Sequence, residues 1–374
     1  MMVQKNTPRI YSLDLLRGVV MILMALDHVR YFFHTDAQIH NPEDLSATTP
    51  ILFFTRWVTH FCAPVFIFLA GISAFLFAER KGKEQAFRFL ISRGLFLIFL
   101  ELTLFRLAWD GSFEGMHFNL LVIWAIGVSM IFLAIAIKLL NDKMLLIIGA
   151  IIIFGHNLLD GIKANPETFF GKIWILLHES NFFKLTDSIS VFVLYPLLPY
   201  FGAILLGWCC GKIFSDRFDK MKRRNILLWM GVGGIILFIL LRFSNLYGDP
   251  DQWSVQKNPA YTFFSFFKTT KYPTSLLFLL MTIAPALLLL YAADRKVPKL
   301  FFPLIETGQA PMFFYIIHLF LIRWIAQIGG GFNTYTLAGV YAAWIIVIII
   351  LYILCRYYRK YKFTHRGKRW LTYL

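Results

Sequence analysis

Tyr11-Ser12-Leu13-Asp14-Leu15-Leu16-Arg17-Gly18 opens a stretch that runs through an apolar middle to Leu26-Asp27-His28-Val29-Arg30 and ends at Phe33. As a helix it is about 35 Å long, enough to cross the roughly 30 Å hydrocarbon core of a bilayer. Lys5 and Arg9 precede it, as basic residues precede a secretory signal. The apolar run is too long for such a signal, and no small-residue cleavage site follows. It is expected to remain as a first membrane span.

Nine further apolar stretches follow, at roughly 50–78, 89–109, 118–140, 144–160, 189–214, 225–243, 274–293, 302–328 and 336–356. The chain of 374 residues is 58% hydrophobic and 16% charged. Soluble domains run about 45–50% apolar and about 25% charged. The composition therefore excludes an ordinary soluble enzyme, a disordered chain and a disulfide-rich secreted module. The expected fold is an all-α integral membrane protein, a polytopic bundle of about ten transmembrane helices forming a single domain over 1–374, with a basic tail from about 356.

The net charge is +16. The basic residues sit mostly between the apolar blocks, which points to membrane flanks and to no nucleic-acid partner. With both termini on one side, that side carries 24 Lys and Arg against six on the other. The positive-inside rule makes the richer side cytoplasmic, with both ends of the chain there. A multi-pass protein of the inner (cytoplasmic) membrane, in contact with the lipid bilayer, is the expectation. Cys62, Cys209, Cys210 and Cys355 lie in or at the ends of apolar blocks and show no zinc-binding spacing, so free thiols are expected.

Seven arginines fall within or at the edges of the spans: Arg17, Arg30, Arg56, Arg93, Arg106, Arg242 and Arg323. An arginine in hydrocarbon costs roughly 2.5–3.5 kcal/mol on insertion scales, so such residues face a cavity or a partner. Arg242 and Arg323 can instead snorkel to the outer interface. The other five crowd into the first three spans. Two long outer segments, 161–188 and 244–273, are rich in Trp and Phe and read either as interfacial or as a lid over an outward-facing mouth.

Arg17 and His28 are eleven residues apart, close to three helical turns, and share a face about 16 Å apart. That places a cationic anchor at the inner mouth and a titratable group deep in the outer half. A thioester donor with phosphates at one end of a long arm, as in coenzyme A, fits the spacing. His28 is the candidate general base. Its alternative is a hydrogen-bonded packing residue, with Arg17 a positive-inside anchor. Asp27 points about 100° away from His28 and stands at i,i+3 to Arg30, the spacing of an intrahelical ion pair.

In the second span Arg56 and His60 share a face at i,i+4, with His60 at a depth comparable to His28. Two histidines without carboxylate partners make weak metal ligands, and no metal is expected there. Arg88 and Arg93, in the third span, lie where guanidinium groups grip phosphates, of a donor or of an anionic lipid. Glu101 reads as neutralised by Arg106 or by another helix. In the ninth span Pro311 is expected to kink the helix, with Glu306 at the inner side and His318 nearer the outer.

These residues resemble a known group. Leu13 to His28 is similar to the opening helix of the transmembrane acyltransferase superfamily, whose acyltransferase-3 branch carries an Arg, ten residues and a His. Phe54-Thr55-Arg56-Trp57, then His60-Phe61-Cys62-Ala63-Pro64 and Phe68-Leu69-Ala70-Gly71, resemble the bacterial DUF1624 branch, grouped with the catalytic domain of heparan-alpha-glucosaminide N-acetyltransferase. The likeness covers about residues 10–106. It implies acetyl transfer from cytoplasmic acetyl-CoA to a sugar hydroxyl or amine of an extracytoplasmic glycan, with a homodimer allowed.

On this reading His28, Asp27 and His60 are the catalytic candidates, and Arg17, Arg88 and Arg93 hold the acetyl-CoA donor. Arg30, Arg56, His40 and His318 are candidates for contact with the acceptor. Eukaryotic members place an active His beyond the outer end of the first helix, where His40 is the nearest counterpart and His34 lies slightly earlier. The competing readings are a proton-coupled transporter and an export-associated membrane protein without acyl transfer.

Overall fold

The computed structural model describes residues 9–37, 39–365 and 368–372. Lys5 and Arg366, counted among the basic flanks, lie outside the described residues. The chain is mostly helical, at 71%. Each of the ten expected stretches holds a long helix.

Eight helices among the described residues are long and apolar enough to cross a membrane: Pro50–Lys81, Val122–Leu139, Asp142–Leu159, Leu197–Phe214, Lys220–Ser244, Leu276–Ala293, Pro311–Ile328 and Leu337–Thr364. The helices Tyr11–Phe33 and Lys83–Leu100 are long too, but Asp14, Arg17, Asp27 and Arg30 in one, and Lys83, Glu84, Arg88 and Arg93 in the other, make them more polar. Asp14 and Arg30 are buried and Arg17, Asp27 and Arg93 line a cavity, while Lys83, Glu84 and Arg88 are exposed.

Local chemistry sets the helix ends. The Thr49 side chain accepts from the Leu52 amide ahead of Pro50, which supplies the fixed φ of a first helical position. Asn141, Asp219 and Ser275 cap their helices in the same way. Two helices are irregular in mid-course. Val58–Phe61 tightens to a 3₁₀ turn, and Glu101–Phe105 widens to a π-turn, distortions that frequently mark functional sites. The Glu101 carboxylate accepts from the Trp124 amide at 3.1 Å and so caps the neighbouring helix, while Arg106 turns instead towards Asp110 and the carbonyls of 113–115.

Three departures from the sequence expectations concern the boundaries. The stretches 118–140 and 189–214 begin as strands, β1 (His117–Leu120) and β3 (Ser190–Val193), with helices starting only at Val122 and Leu197. Val191 and Val193 are buried and Phe192 between them is exposed, the period-two pattern of a strand. β1 runs parallel to β3, and β2 (Asn181–Lys184) antiparallel to it.

Pro311 does not kink a continuous helix either. The chain breaks at Gln309-Ala310, between Phe302–Gly308 and Pro311–Ile328, because proline disfavours helical geometry in the residue before it and suits a first helical turn. The two aromatic segments carry short helices: Phe169–Leu177, which touches strand β2, and Pro259–Phe267, which packs against Phe53 and Phe54.

Arg242 and Arg323 hold main-chain carbonyls. Arg242 is 2% exposed and donates to the carbonyls of Phe266, Asp251, Ser265 and Lys268, thereby tying the Pro259–Phe267 helix down. Arg323 donates to the carbonyls of Ala108, Trp109 and Asp110, the unsatisfied acceptors at a helix C-terminus.

The first helix packs against Phe302–Gly308 at backbone contact. A Cβ on Gly18 would strike the Leu304 carbonyl oxygen, and one on Gly308 would strike that of Asp14. Only glycine permits this approach, and it fixes the turn that carries Arg17.

Candidate active site

Two cavities meet at His28. One, of about 400 Å³, runs along the first helix from Arg17 to His28 and is mostly apolar, with Phe77, Phe89 and Leu90 in its wall. The other, of about 530 Å³, opens towards the sheet-bearing end and is lined by Arg30, His40, Arg56, Asn119 and Tyr272 among others. Asp27, His28, Val122, Tyr195 and Tyr315 belong to both walls. The shared face of Arg17 and His28, read from helical spacing, is therefore a cavity wall.

At the Arg17 end the guanidinium is aimed by its neighbours. It donates to Asp14 Oδ1 at 2.8 Å and to Ser73 Oγ at 2.6 Å. Asp14 is buried and also takes Arg9 and Gln309. Arg93 lines the same cavity, with its guanidinium 5.8 Å from the Phe89 ring centre. Arg17 and Arg93 both line this cavity, and a guanidinium group offers paired donors to a phosphate. Arg88 is not brought there; it is exposed and pairs with Glu84 at 3.0 Å.

At the junction, His28 Nδ1 lies 2.7 Å from His318 Nε2, and His318 Nδ1 lies 3.1 Å from the Phe314 carbonyl oxygen. A carbonyl only accepts, so His318 carries its proton on Nδ1. In neutral His318 Nε2 then accepts, and His28 must donate from its own Nδ1. This leaves the lone pair of His28 on Nε2, the atom a general base uses. Trp109 packs edge-on against the His28 ring at 4.9 Å, and its carbonyl is one of those held by Arg323. His318 is fully buried, lines neither cavity, and packs against His28 and Tyr315, which line both.

Asp27 does not orient His28. Its carboxylate takes Arg30 at 3.1 Å and both oxygens take Arg56, at 2.7 and 2.6 Å. The Asp27–Arg30 pair has the expected i,i+3 spacing, and the Arg56 arm comes from the second span. His60 is fully buried behind Arg56, against Phe278, and lines neither cavity. Its Nε2 stands 3.3 Å from Glu43, and Arg56 Nε stands 3.7 Å from the same oxygen. Burial raises the Glu43 carboxyl, but His60, Arg56 and Lys271 outweigh burial and hold it down to about 2.

Sequence reading missed Glu43, Trp109, Tyr195, Lys271 and Tyr272. The hydroxyls of Tyr195 and Tyr272 are 3.0 Å apart at the junction. Both residues stand in Tyr-Pro pairs just before an apolar run, a repeated pattern that was available in the sequence. Lys271 is buried and lines the Arg17-side cavity. His40 is exposed on the rim of the other cavity.

Residues 9–243, more than half of the chain, match the family described as heparan-alpha-glucosaminide N-acetyltransferase, catalytic, and the chain belongs to that family. The matched region includes Arg17, Asp27, His28, Arg93 and Tyr195, while Lys271 and His318 lie beyond it. No curated protein matches the chain.

Proposed function

We propose that this member of the family is a multi-pass acetyltransferase of the cytoplasmic membrane that moves an acetyl group from acetyl-CoA to an amine or hydroxyl of an extracytoplasmic glycan. The observation that carries the reading is the meeting of two cavities at His28, one with a guanidinium mouth and one facing the opposite end. The charge bias of the connecting segments orients the chain with the Arg17 mouth inside, ten helices crossing and both termini cytoplasmic.

Arg17 and Arg93 receive the phosphates of the donor, and its arm lies along the apolar cavity with the thioester at the junction. The acceptor enters from the other side, past Arg30 and His40. His28 Nε2 takes a proton as the acceptor nitrogen or oxygen attacks the acetyl carbonyl. A new C–N or C–O bond forms, the C–S bond breaks, and the thiolate leaves with the proton that His28 returns. Lys271 and the Tyr195 hydroxyl, both on the donor-side wall, supply positive charge and a donor for the oxygen that becomes negative. His318 holds His28 in the required tautomer. His60 and Glu43 hold Arg56, which holds Asp27.

The test is transfer of labelled acetyl from acetyl-CoA to a glucosamine-terminated acceptor by the detergent-purified chain. Wild type is expected to form product, and His28→Ala to lose about 10²–10⁴-fold in kcat. Equal rates in the two proteins would overturn the role of His28. No product from folded wild type with either amino or hydroxyl acceptors would overturn the acetyltransferase reading.

A further inference from the structure

Away from the cavities, the end of the helix Asp142–Leu159 and the end of the short helix Phe169–Leu177 bring together His156, Asp160 and His178. One ligand atom from each lies within 4.8 Å of the others. We infer that these three side chains form a binding site for a divalent transition metal, zinc above all, that clamps the sheet-bearing end of the bundle.

The chemistry of the donors fits. Two imidazoles and one carboxylate are an established zinc set, with a fourth position left for water. Asp160 Oδ1 and His178 Nε2 are already 3.1 Å apart. Ligands about 2.1 Å from a tetrahedral zinc are separated by about 3.4 Å, so this pair stands near its liganded spacing. Small rotations bring in His156, whose ring centre is 5.8 Å from that of His178.

Burial supplies an independent argument. His156 is 2% exposed and His178 3% exposed. Neither ring nitrogen of His156 has a hydrogen-bond partner, and Nδ1 of His178 has none. A buried polar atom left unsatisfied is costly, and two on one ring are seldom tolerated without a reason. A metal ion would take the lone pair of one His156 ring nitrogen, a buried acceptor that has no hydrogen-bond partner.

The surroundings are those of an ordered site. Asn157 Nδ2 donates to Asp160 Oδ2 at 2.7 Å, aiming the other carboxylate oxygen at His178, as second-sphere partners of metal ligands do. Asn157 Oδ1 also accepts from the Leu276 amide at 2.8 Å, at the start of another long helix. Trp174 stacks edge-on against His178 at 5.2 Å. A bound ion thus joins two helix ends, Asn157 links them to a third helix, and strand β2 begins three residues after His178. β2 pairs with β3, whose Phe192 lines the acceptor-side cavity. None of His156, Asp160 and His178 lines either of the two cavities that meet at His28.

The test uses the full chain in detergent, stripped with a chelator, dialysed against zinc and passed through gel filtration before elemental analysis. Wild type is expected to retain zinc at a one-to-one ratio, and added zinc is expected to raise its thermal midpoint. His156→Ser is expected to lose both effects, while His156→Cys, of nearly the same size but with a zinc-binding thiolate, is expected to keep them. Failure of wild type to retain zinc would overturn the inference, and so would equal retention by the Ser and Cys variants. These readouts do not involve acetyl-CoA, so they stand or fall apart from the acetyltransferase reading.

Discussion

His28 donates from Nδ1 to Nε2 of His318 across 2.7 Å, and His318 in turn donates to the Phe314 carbonyl. A histidine and a main-chain carbonyl therefore fix the tautomer and ring plane of His28, as a carboxylate fixes those of a histidine in many general-base pairs. The nearby carboxylate, Asp27, is taken up by Arg30 and Arg56 and stays out of that relay.

His318→Ala is expected to lower kcat by on the order of 10- to 100-fold while leaving KM for acetyl-CoA nearly unchanged, because it releases the base without touching the donor mouth. His318→Gln, whose amide oxygen can accept from His28 Nδ1, is expected to recover part of the loss. Steady-state kinetics of the two variants check this. A rise in KM with kcat preserved would make His318 a substrate contact instead.

Arg17 and Arg88 should separate sharply. A charge-assisted hydrogen bond is worth about 1.5–3 kcal/mol, so Arg17→Ala is expected to weaken acetyl-CoA binding about 10- to 100-fold. Arg88 is exposed and paired with Glu84, an arrangement worth roughly 0–1 kcal/mol, and Arg88→Ala should leave donor affinity close to wild type. Comparable losses in both variants would show that general surface charge draws in the donor.

Glu43 makes stability depend on pH in one direction. Its carboxyl is held from an ordinary 4.5 down to about 2 by His60, Arg56 and Lys271, against the opposing effect of burial. A depressed carboxyl stabilises the folded state fully above its unfolded value and loses that contribution as pH falls through the folded one. The thermal midpoints of wild type and Glu43→Gln should therefore differ most above about pH 4.5 and converge towards pH 2. A gap that stays constant as pH falls would contradict the assignment.

Gly308→Ala should destabilise the chain by about 1–3 kcal/mol, the usual cost of overpacking. The new methyl meets the Asp14 carbonyl, on the turn that aims Arg17, so weaker acetyl-CoA binding should accompany the lower thermal midpoint. A thermal scan and a donor titration on the same preparation check both effects.

Much of the fold was legible because bilayer thickness dictates the length of apolar runs, and helical periodicity is a local rule that puts Arg17 and His28 on one face. The same rule placed Asp27 with Arg30. It could not show that His318, 290 residues away, would meet His28, since that contact is made by packing. Glu43 lies in a connecting segment with no periodicity to read, and only the fold brings it to Arg56 and His60. The strands at 117–120 and 190–193 were hidden because short apolar runs look alike in strand and helix. His60 stands in the 3₁₀ turn at Val58–Phe61, behind Arg56 and off the cavity wall, a local distortion that helical spacing does not reveal.

The most direct measurement is calorimetric titration of acetyl-CoA into the purified chain, run on wild type, Arg17→Ala and His28→Ala. The expected result is binding by wild type, strong weakening by Arg17→Ala, and near-wild-type affinity for His28→Ala, whose acetyl transfer is lost. Absence of binding by folded wild type, or binding indifferent to Arg17, would contradict a donor held at one mouth and a base at the junction, and would favour a transport path through the two cavities.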